Sequence, residues 1–400
     1  MDADRQDLTP MDEVLAAEMT EWSARGLERV LRAAWQRTGV DVDTLAGRAI
    51  DFSSNDYLGL ATHPELVARL IAAVQTDGVG ATASRLIAGN HPLHEALERD
   101  IAAFFGAPAA LSFSTGFAAN VGTIPALVGP EDVIFADAFN HASLIDGCRL
   151  SRATTHVYPH SDMTALRALL GAHRGAGRRA LIISDGLFSM DGDVAHIGDI
   201  VALAREFGAW TYIDDAHAVG ALGDHGRGTA EMLGVSGVDV TVGTLGKAFG
   251  VAGAFVHGSA ILCRHLMNRA RSFVYSTAML PAQAGAASAA LAIVAREPAR
   301  RVRLRENARA VRFALTAAGV RTSGEPDAHI VPVFVGDAAE TMRLGAALRA
   351  RGILVGAVRP PTVAHGSARL RISVSAGHTA GHIAELGNAI AAELVSTASA

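Results

Sequence analysis

Apolar residues recur along this chain with two periods, and their alternation predicts an α/β protein. Short runs rich in branched residues fall at 109–113, 132–137, 180–184, 210–214 and 330–335, and each stops at a glycine or a polar turn, as buried strands do. Val240 and Val242 alternate ahead of a glycine-containing loop, 253–257 reads as a return strand, and 368–374 alternates as a further strand. Helical spacing occupies 64–75, about 338–350 and the last 20 residues, whose end reads as a disordered tail. Near the start, Val14, Leu15, Met19 and Trp22, then Leu27, Val30 and Leu31, predict two helices broken at Gly26. From Leu291 a long helix carrying Arg296, Arg300, Arg301, Arg303, Arg305, Arg309 and Arg312 opens a smaller α/β unit, and its arginines read first as a solvated face and second as a site for a ligand's phosphates. The pattern divides the chain into an N-terminal helical segment (1–50), a large domain (51–290) and a small C-terminal domain (291–400).

Composition removes several function classes. The 400 residues exceed one simple core, and half are hydrophobic, with much alanine among them. A net charge of −5 gives no footprint for a nucleic-acid partner. Cys148 and Cys263 stand in no metal-ligand spacing and read as buried free thiols of a reducing compartment. The apolar run 284–295 is interrupted by Gly285 and Ser288 and falls short of the roughly 18 residues a membrane span needs. Met1-Asp-Ala-Asp-Arg5 has no apolar core, so no signal peptide is expected, and a cytoplasmic protein is. The acidic spacing of 185–193 resembles part of a calcium loop without the remaining ligands, so no metal is expected.

Chemistry concentrates at the carboxyl ends of the strands. After Val240 and Val242 comes a loop with Gly243, Gly246 and Gly250 around a single lysine, Lys247. Burial disfavours an ammonium, so such a lysine can be a neutral amine able to form a Schiff base; the plain alternative is a surface lysine among turn glycines. One crossover unit earlier, the strand from Trp210 runs into Asp214, Asp215 and His217, which is where open α/β sheets bind ligands. A carboxylate at Asp214 suits the ring nitrogen of pyridoxal phosphate and His217 its ring hydroxyl; the plain alternative is a solvated, capped turn. The strand at 109–113 passes through Ser114-Thr-Gly116 into a helix, an anion site by geometry, which assigns a phosphate to the amides of Gly116 and Phe117.

Thr244-Leu-Gly-Lys-Ala-Phe-Gly250 with Asp214-Asp-Ala-His217 resembles the α-oxoamine synthase family of fold-type I pyridoxal-phosphate enzymes, and the likeness extends over roughly residues 27–378. It implies a large domain with a mostly parallel seven-stranded sheet flanked by helices, a smaller C-terminal α/β domain, pyridoxal 5'-phosphate on Lys247, and a homodimer. By the same resemblance His141 stacks on the cofactor ring, Ser189 and Thr244 contact the cofactor, and Arg371 grips an amino-acid carboxylate, with Arg369 beside it. Arg29 corresponds by spacing to an acyl-binding arginine, and the segment 273–277 to one that reaches the partner subunit's phosphate site. Arg359-Pro-Pro-Thr362-Val resembles the loop of members that condense L-alanine with a pimeloyl thioester, so Arg359 and Thr362 are expected at the substrate. Departures are Ala81 and Thr82, where the family usually has Gly and Ser, and Ala364-His365 in place of a proline-containing pair.

The resemblance thus implies decarboxylative acyl transfer, with Lys247 as base and His141, Asp214 and His217 completing the catalytic set. Sister reactions with glycine or serine remain open, as do a transaminase and a non-catalytic partner subunit, although the last fits poorly with Lys247, Asp214 and His217 all present. No complete dinucleotide-binding glycine fingerprint is present.

Overall fold

The computed structural model describes residues 9–398. Its larger sheet has seven strands in the spatial order Ala109–Phe113, Ala254–Gly258, Val240–Thr244, Trp210–Asp214, Ala180–Asp185, Val133–Asp137 and Thr154–Tyr158. Only Ala254–Gly258 runs antiparallel to its neighbours. Helices cover both faces, so the central strands are buried on both sides and read as continuous apolar runs. The parallel strands end in register: Asp185 lies opposite Asp214, and Asp214 opposite Val242. That register lines the strands' carboxyl ends with Asp137, Asp185, Asp214 and Thr244.

The second sheet has six strands, ordered Ala34–Thr38, Asp41–Thr44, Gly47–Phe52, Ile353–Val358, Ala368–Ser373 and Ile330–Gly336. Its first three strands correct the expected N-terminal helical segment. One helix forms, Pro10–Ala24, capped by Thr9. Beyond Gly26 the chain is extended, and 34–52 makes strands, the last pairing in parallel with Ile353–Val355. The helical spacing of Leu27, Val30 and Leu31 finds nothing to pack against, and Val30 and Leu31 stay exposed. Val40-Asp-Val42, turning at positive-φ Gly39, carries instead the alternation of a strand, with Val42 buried against Ala49 and Leu354. The small lobe therefore draws strands from both ends of the chain.

The helix expected from Leu291 is two helices, Pro281–Arg296 and Pro298–Ala317. Pro298 has no N–H to continue the first and suits the first turn of the second, so the break falls there and not at 290. Several arginines of the second helix are tied to neighbours: Arg300 donates to the Leu58 carbonyl, Arg301 to the carbonyls of Val294 and Asp224, and Arg312 to that of Ile330, while Arg309 pairs with Asp327. The face was expected first to be solvated; in the fold it staples segments together. The C-terminal helix runs from Ala380 to Ala398. The absence of a signal sequence was argued from residues that lie outside the described ones. No helix among the described residues is long and apolar enough to cross a membrane.

Candidate active site

A cavity of about 200 Å³ opens at the carboxyl ends of the large sheet, lined by Gly116, Phe117, Asn120, His141, Asp185, Asp214, His217, Thr244 and Lys247 among others. The lysine loop is held from both sides. The Val251 amide donates to the Leu245 carbonyl, and Gly250, at φ +68°, packs so closely on Leu60 and Ala61 that a Cβ there would lie 2.5 Å from the Ala61 nitrogen. Burial lowers Lys247 to about 8; Asp214 and Asp185 oppose the shift, while Arg371 adds to it. About a tenth of the amine is therefore neutral at pH 7, against well under a thousandth for an ordinary lysine.

Asp214 accepts from Asn120 Nδ2 at 2.6 Å and from the Ala216 amide at 3.1 Å. Asn120 is fully used: its second Nδ2 proton goes to Ser143 Oγ at 2.8 Å, and its Oδ1 accepts from the Tyr212 hydroxyl at 2.7 Å. Ser143 Oγ in turn lies 2.7 Å from His141 Nδ1, which also accepts the Ser143 amide. An accepting Nδ1 leaves the proton on His141 Nε2, so the ring can donate. Burial, ahead of Lys247, lowers His141 and favours that neutral form, although Asp214 pulls the other way.

His217 is fixed by Tyr57, whose hydroxyl lies 2.7 Å from Nδ1. The same hydroxyl lies 3.0 Å from Asn55 Oδ1, so Tyr57 ties His217 to the turn at Asn55 and leaves its Nε2 free for a ligand. Burial first, then the Lys247 and Arg371 charges, hold His217 neutral, well below its ordinary value. Asp185 takes the His141 backbone N–H at 2.7 Å; burial and then Asp214 raise its carboxyl far above the usual range.

Gly116 and Phe117 begin the helix Gly116–Leu127, whose N-cap is Thr115. The first amides of a helix have no partner within it and face an anion favourably. Thr244 lines the cavity while its hydroxyl donates to the Gly253 carbonyl at 3.0 Å. Arg371, 8% exposed, has only neutral partners among the described residues: the Ser189 carbonyl at 2.5 Å, Ser373 Oγ at 2.7 Å, and Asn55 and Tyr57 at longer range. A buried guanidinium with such partners has the chemistry to take a carboxylate. Arg369 is instead ion-paired to Asp191 and stacked on Phe334, a structural contact.

Five expected residues stand apart from the cavity lining, Arg371 among them. Ser189 is present through its carbonyl. Arg359 donates to the carbonyls of Gly26 and Glu28, both at 2.8 Å, holding the segment that carries the exposed Arg29. Thr362 is exposed in the turn after Arg359. Arg29 and Arg359 thus belong to one junction between the N-terminal segment and the small sheet. Asn120, Ser143, Asp185 and Tyr57 were not singled out from sequence. Asp185 had a signal, a carboxylate ending a buried strand, but Asn120 and Tyr57 sit among ordinary helix and turn residues.

A buried lysine of lowered basicity, a carboxylate, two neutral histidines and a helix N-terminus on one cavity fit pyridoxal phosphate. The aminotransferase class I and II family matches residues 48–390, and the chain belongs to it, within the α-oxoamine synthases of fold type I. It is therefore a pyridoxal-phosphate enzyme. It is 46% identical to 8-amino-7-oxononanoate synthase of Citrifermentans bemidjiense, over 93% of this chain and 96% of that one. Its identity to the Geobacter sulfurreducens protein of the same name is 47%, over 92% and 94%. Among solved structures, serine palmitoyltransferase from S. paucimobilis with bound PLP–myriocin superposes with a TM-score of 0.91 at 28% identity, covering 99% of this chain and 100% of that one. The 8-amino-7-oxononanoate synthase of Francisella tularensis gives 0.75 at 28%, covering 88% and 99%.

Proposed function

We propose that this chain performs the decarboxylative condensation of L-alanine with a pimeloyl thioester, of coenzyme A or a carrier protein, giving 8-amino-7-oxononanoate for biotin synthesis. The observation that carries this is the 46–47% identity, over more than nine-tenths of the chain, to proteins of that name, joined to a cavity with the required donor set. The serine palmitoyltransferase likeness reflects the shared fold, at lower identity.

Bound pyridoxal phosphate supplies an electron sink for the charge left at the amino acid's α-carbon. Lys247 Nζ would hold it covalently, and once displaced by substrate would take the α-proton as general base. Asp214, oriented by Asn120, would keep the ring nitrogen protonated. His217 Nε2 would hydrogen-bond the ring hydroxyl oxygen, and His141 would cover the ring face with its Nε2–H free to donate to the incoming thioester carbonyl. The amides of Gly116 and Phe117 would hold the phosphate, joined by Thr244 once its hydroxyl turns from Gly253. Ser189 would support this set through its carbonyl. Arg371 would grip the substrate carboxylate, and Arg29, Arg359 and Thr362 the acyl chain.

A homodimer belongs to the same reading, as does a cytoplasmic location. Exposed Ile87 and Tyr275 sit on segments joined by the Ser84–Thr277 bridge, and large apolar side chains left in water are what a second copy would cover. The test is thiol release from pimeloyl-CoA with L-alanine, glycine or L-serine. Release specific to L-alanine, with 8-amino-7-oxononanoate identified by mass, supports the reading. Release only with glycine or serine replaces the substrate and keeps the chemistry.

A further inference from the structure

Beside the cavity lies a second group of titratable residues with no direct place in the chemistry above. His160 sits between two carboxylates, its Nδ1 2.9 Å from Asp137 Oδ1 and its Nε2 2.7 Å from Asp193 Oδ2. With an acceptor at each ring nitrogen, both nitrogens donate and the ring is an imidazolium. Burial works against that charge, but the two carboxylates together outweigh it and push His160 up to about 10. Phe139 stacks on the ring at 4.3 Å and Phe188 meets it edge-on at 4.4 Å. The remaining charge facing it is Asp191, itself paired with Arg369.

What this clamp joins gives it a role. Asp137 also accepts the amides of Phe139 and Ser161, at 2.8 and 2.9 Å, and so orders the turn that leads into His141. Asp193 belongs to a hairpin closed by the Leu187–Val194 bridge and by the Phe188 amide on the Asp193 carbonyl at 2.9 Å. Its other carboxylate oxygen is buried with no hydrogen-bond partner among the described residues, so its anchor is His160. The hairpin's outer side is what the small lobe holds, through Arg369 on Asp191 and Arg371 Nε on the Ser189 carbonyl.

We propose that His160 is a positioning residue: by bridging Asp137 and Asp193 it fixes the hairpin, and through the Ser189 carbonyl it sets the angle at which Arg371 meets the carboxylate of the amino-acid substrate. This rests on the reading of Arg371 as the carboxylate grip.

The test titrates the pyridoxal-phosphate-loaded protein, followed by its near-visible absorbance, with L-alanine and with ethylamine, the same amine without a carboxylate. Wild type, His160→Gln, Asp193→Asn and Arg371→Ala are compared, with melting curves for each. The clamp predicts that His160→Gln and Asp193→Asn weaken L-alanine about tenfold and leave ethylamine unchanged. It also predicts that the wild-type preference for L-alanine over ethylamine falls more steeply as pH rises through about 10 than that of His160→Gln, in which only the titration of the two amines themselves is left. Equal weakening of both amines, or unchanged L-alanine affinity beside a strong loss in Arg371→Ala, overturns it. Unchanged L-alanine affinity in Arg371→Ala overturns the carboxylate reading itself. Should His160→Gln not fold, Asp193→Asn, which keeps the ring and its Asp137 contact, is read the same way.

Discussion

At the scale of single residues, the site is governed by which buried polar atoms have partners. Lys247 is the clearest case, because burial moves it to about 8. A neutral amine is the reactive form, so the cofactor-free protein should take up pyridoxal phosphate at a rate that climbs with pH and levels off above about 8. An ordinary lysine, near 10.4, would leave the rate still climbing there. Stopped-flow absorbance across a pH series reads the difference. Lys247→Ala should retain no cofactor after borohydride reduction, by mass spectrometry, and lose about 10³-fold or more in turnover. Asn120 poses a different question. Replacing it with Ala leaves the Tyr212 hydroxyl and one Asp214 oxygen without their partner, which should cost about 1–3 kcal/mol in urea unfolding. Turnover should fall as well, because Ser143 and through it His141 lose their link to Asp214.

At the scale of elements, glycine and proline decide where loops can exist. Gly250 combines a positive φ with backbone contact on Leu60 and Ala61, so a methyl group has neither an allowed conformation nor room. Gly250→Ala should displace the lysine loop and destabilise the fold by about 1–3 kcal/mol, with weaker cofactor retention, read by melting temperature and by absorbance after dialysis. That loop was legible in the sequence because its glycines, its preceding branched strand and its lone lysine all pointed one way. The strands at the carboxyl ends of which chemistry gathers were legible for the same reason: buried on both faces, they are unbroken apolar runs. Residues 27–52 were not. A short stretch with helical spacing has no fixed meaning until a partner surface exists, and the partner of Gly47–Phe52 lies some three hundred residues on, in Ile353–Val355. Asn120 and Tyr57 escaped for a related reason, since their roles come from residues brought to them by the fold.

At the scale of the whole molecule, the lobes are stitched across the sequence. The small sheet takes strands from the N-terminal region, and Arg359 holds the carbonyls of Gly26 and Glu28, so the segment before the large domain is part of the small lobe's edge. Two large apolar side chains of the large lobe are left in water near the helix start at Gly116. Ile87 is 83% exposed and Tyr275 73%, on segments joined by the Ser84–Thr277 bridge beside Phe113 and Ser114. Leaving such side chains in water costs hydrophobic free energy that a second copy would recover, at about 25 cal/mol per Å² covered. A homodimer read this way should sediment at twice 41.4 kDa. Ile87→Asp places a charge where the partner would pack, and a buried unpaired carboxylate is costly. The variant should sediment as a monomer with unchanged far-ultraviolet circular dichroism. It should also lose turnover, since the phosphate site proposed at the helix start, Gly116, follows Phe113 and Ser114 directly. A variant that remains dimeric, or a wild type that is monomeric at micromolar concentration, would place the interface elsewhere and leave the exposed apolar side chains to be explained by another partner.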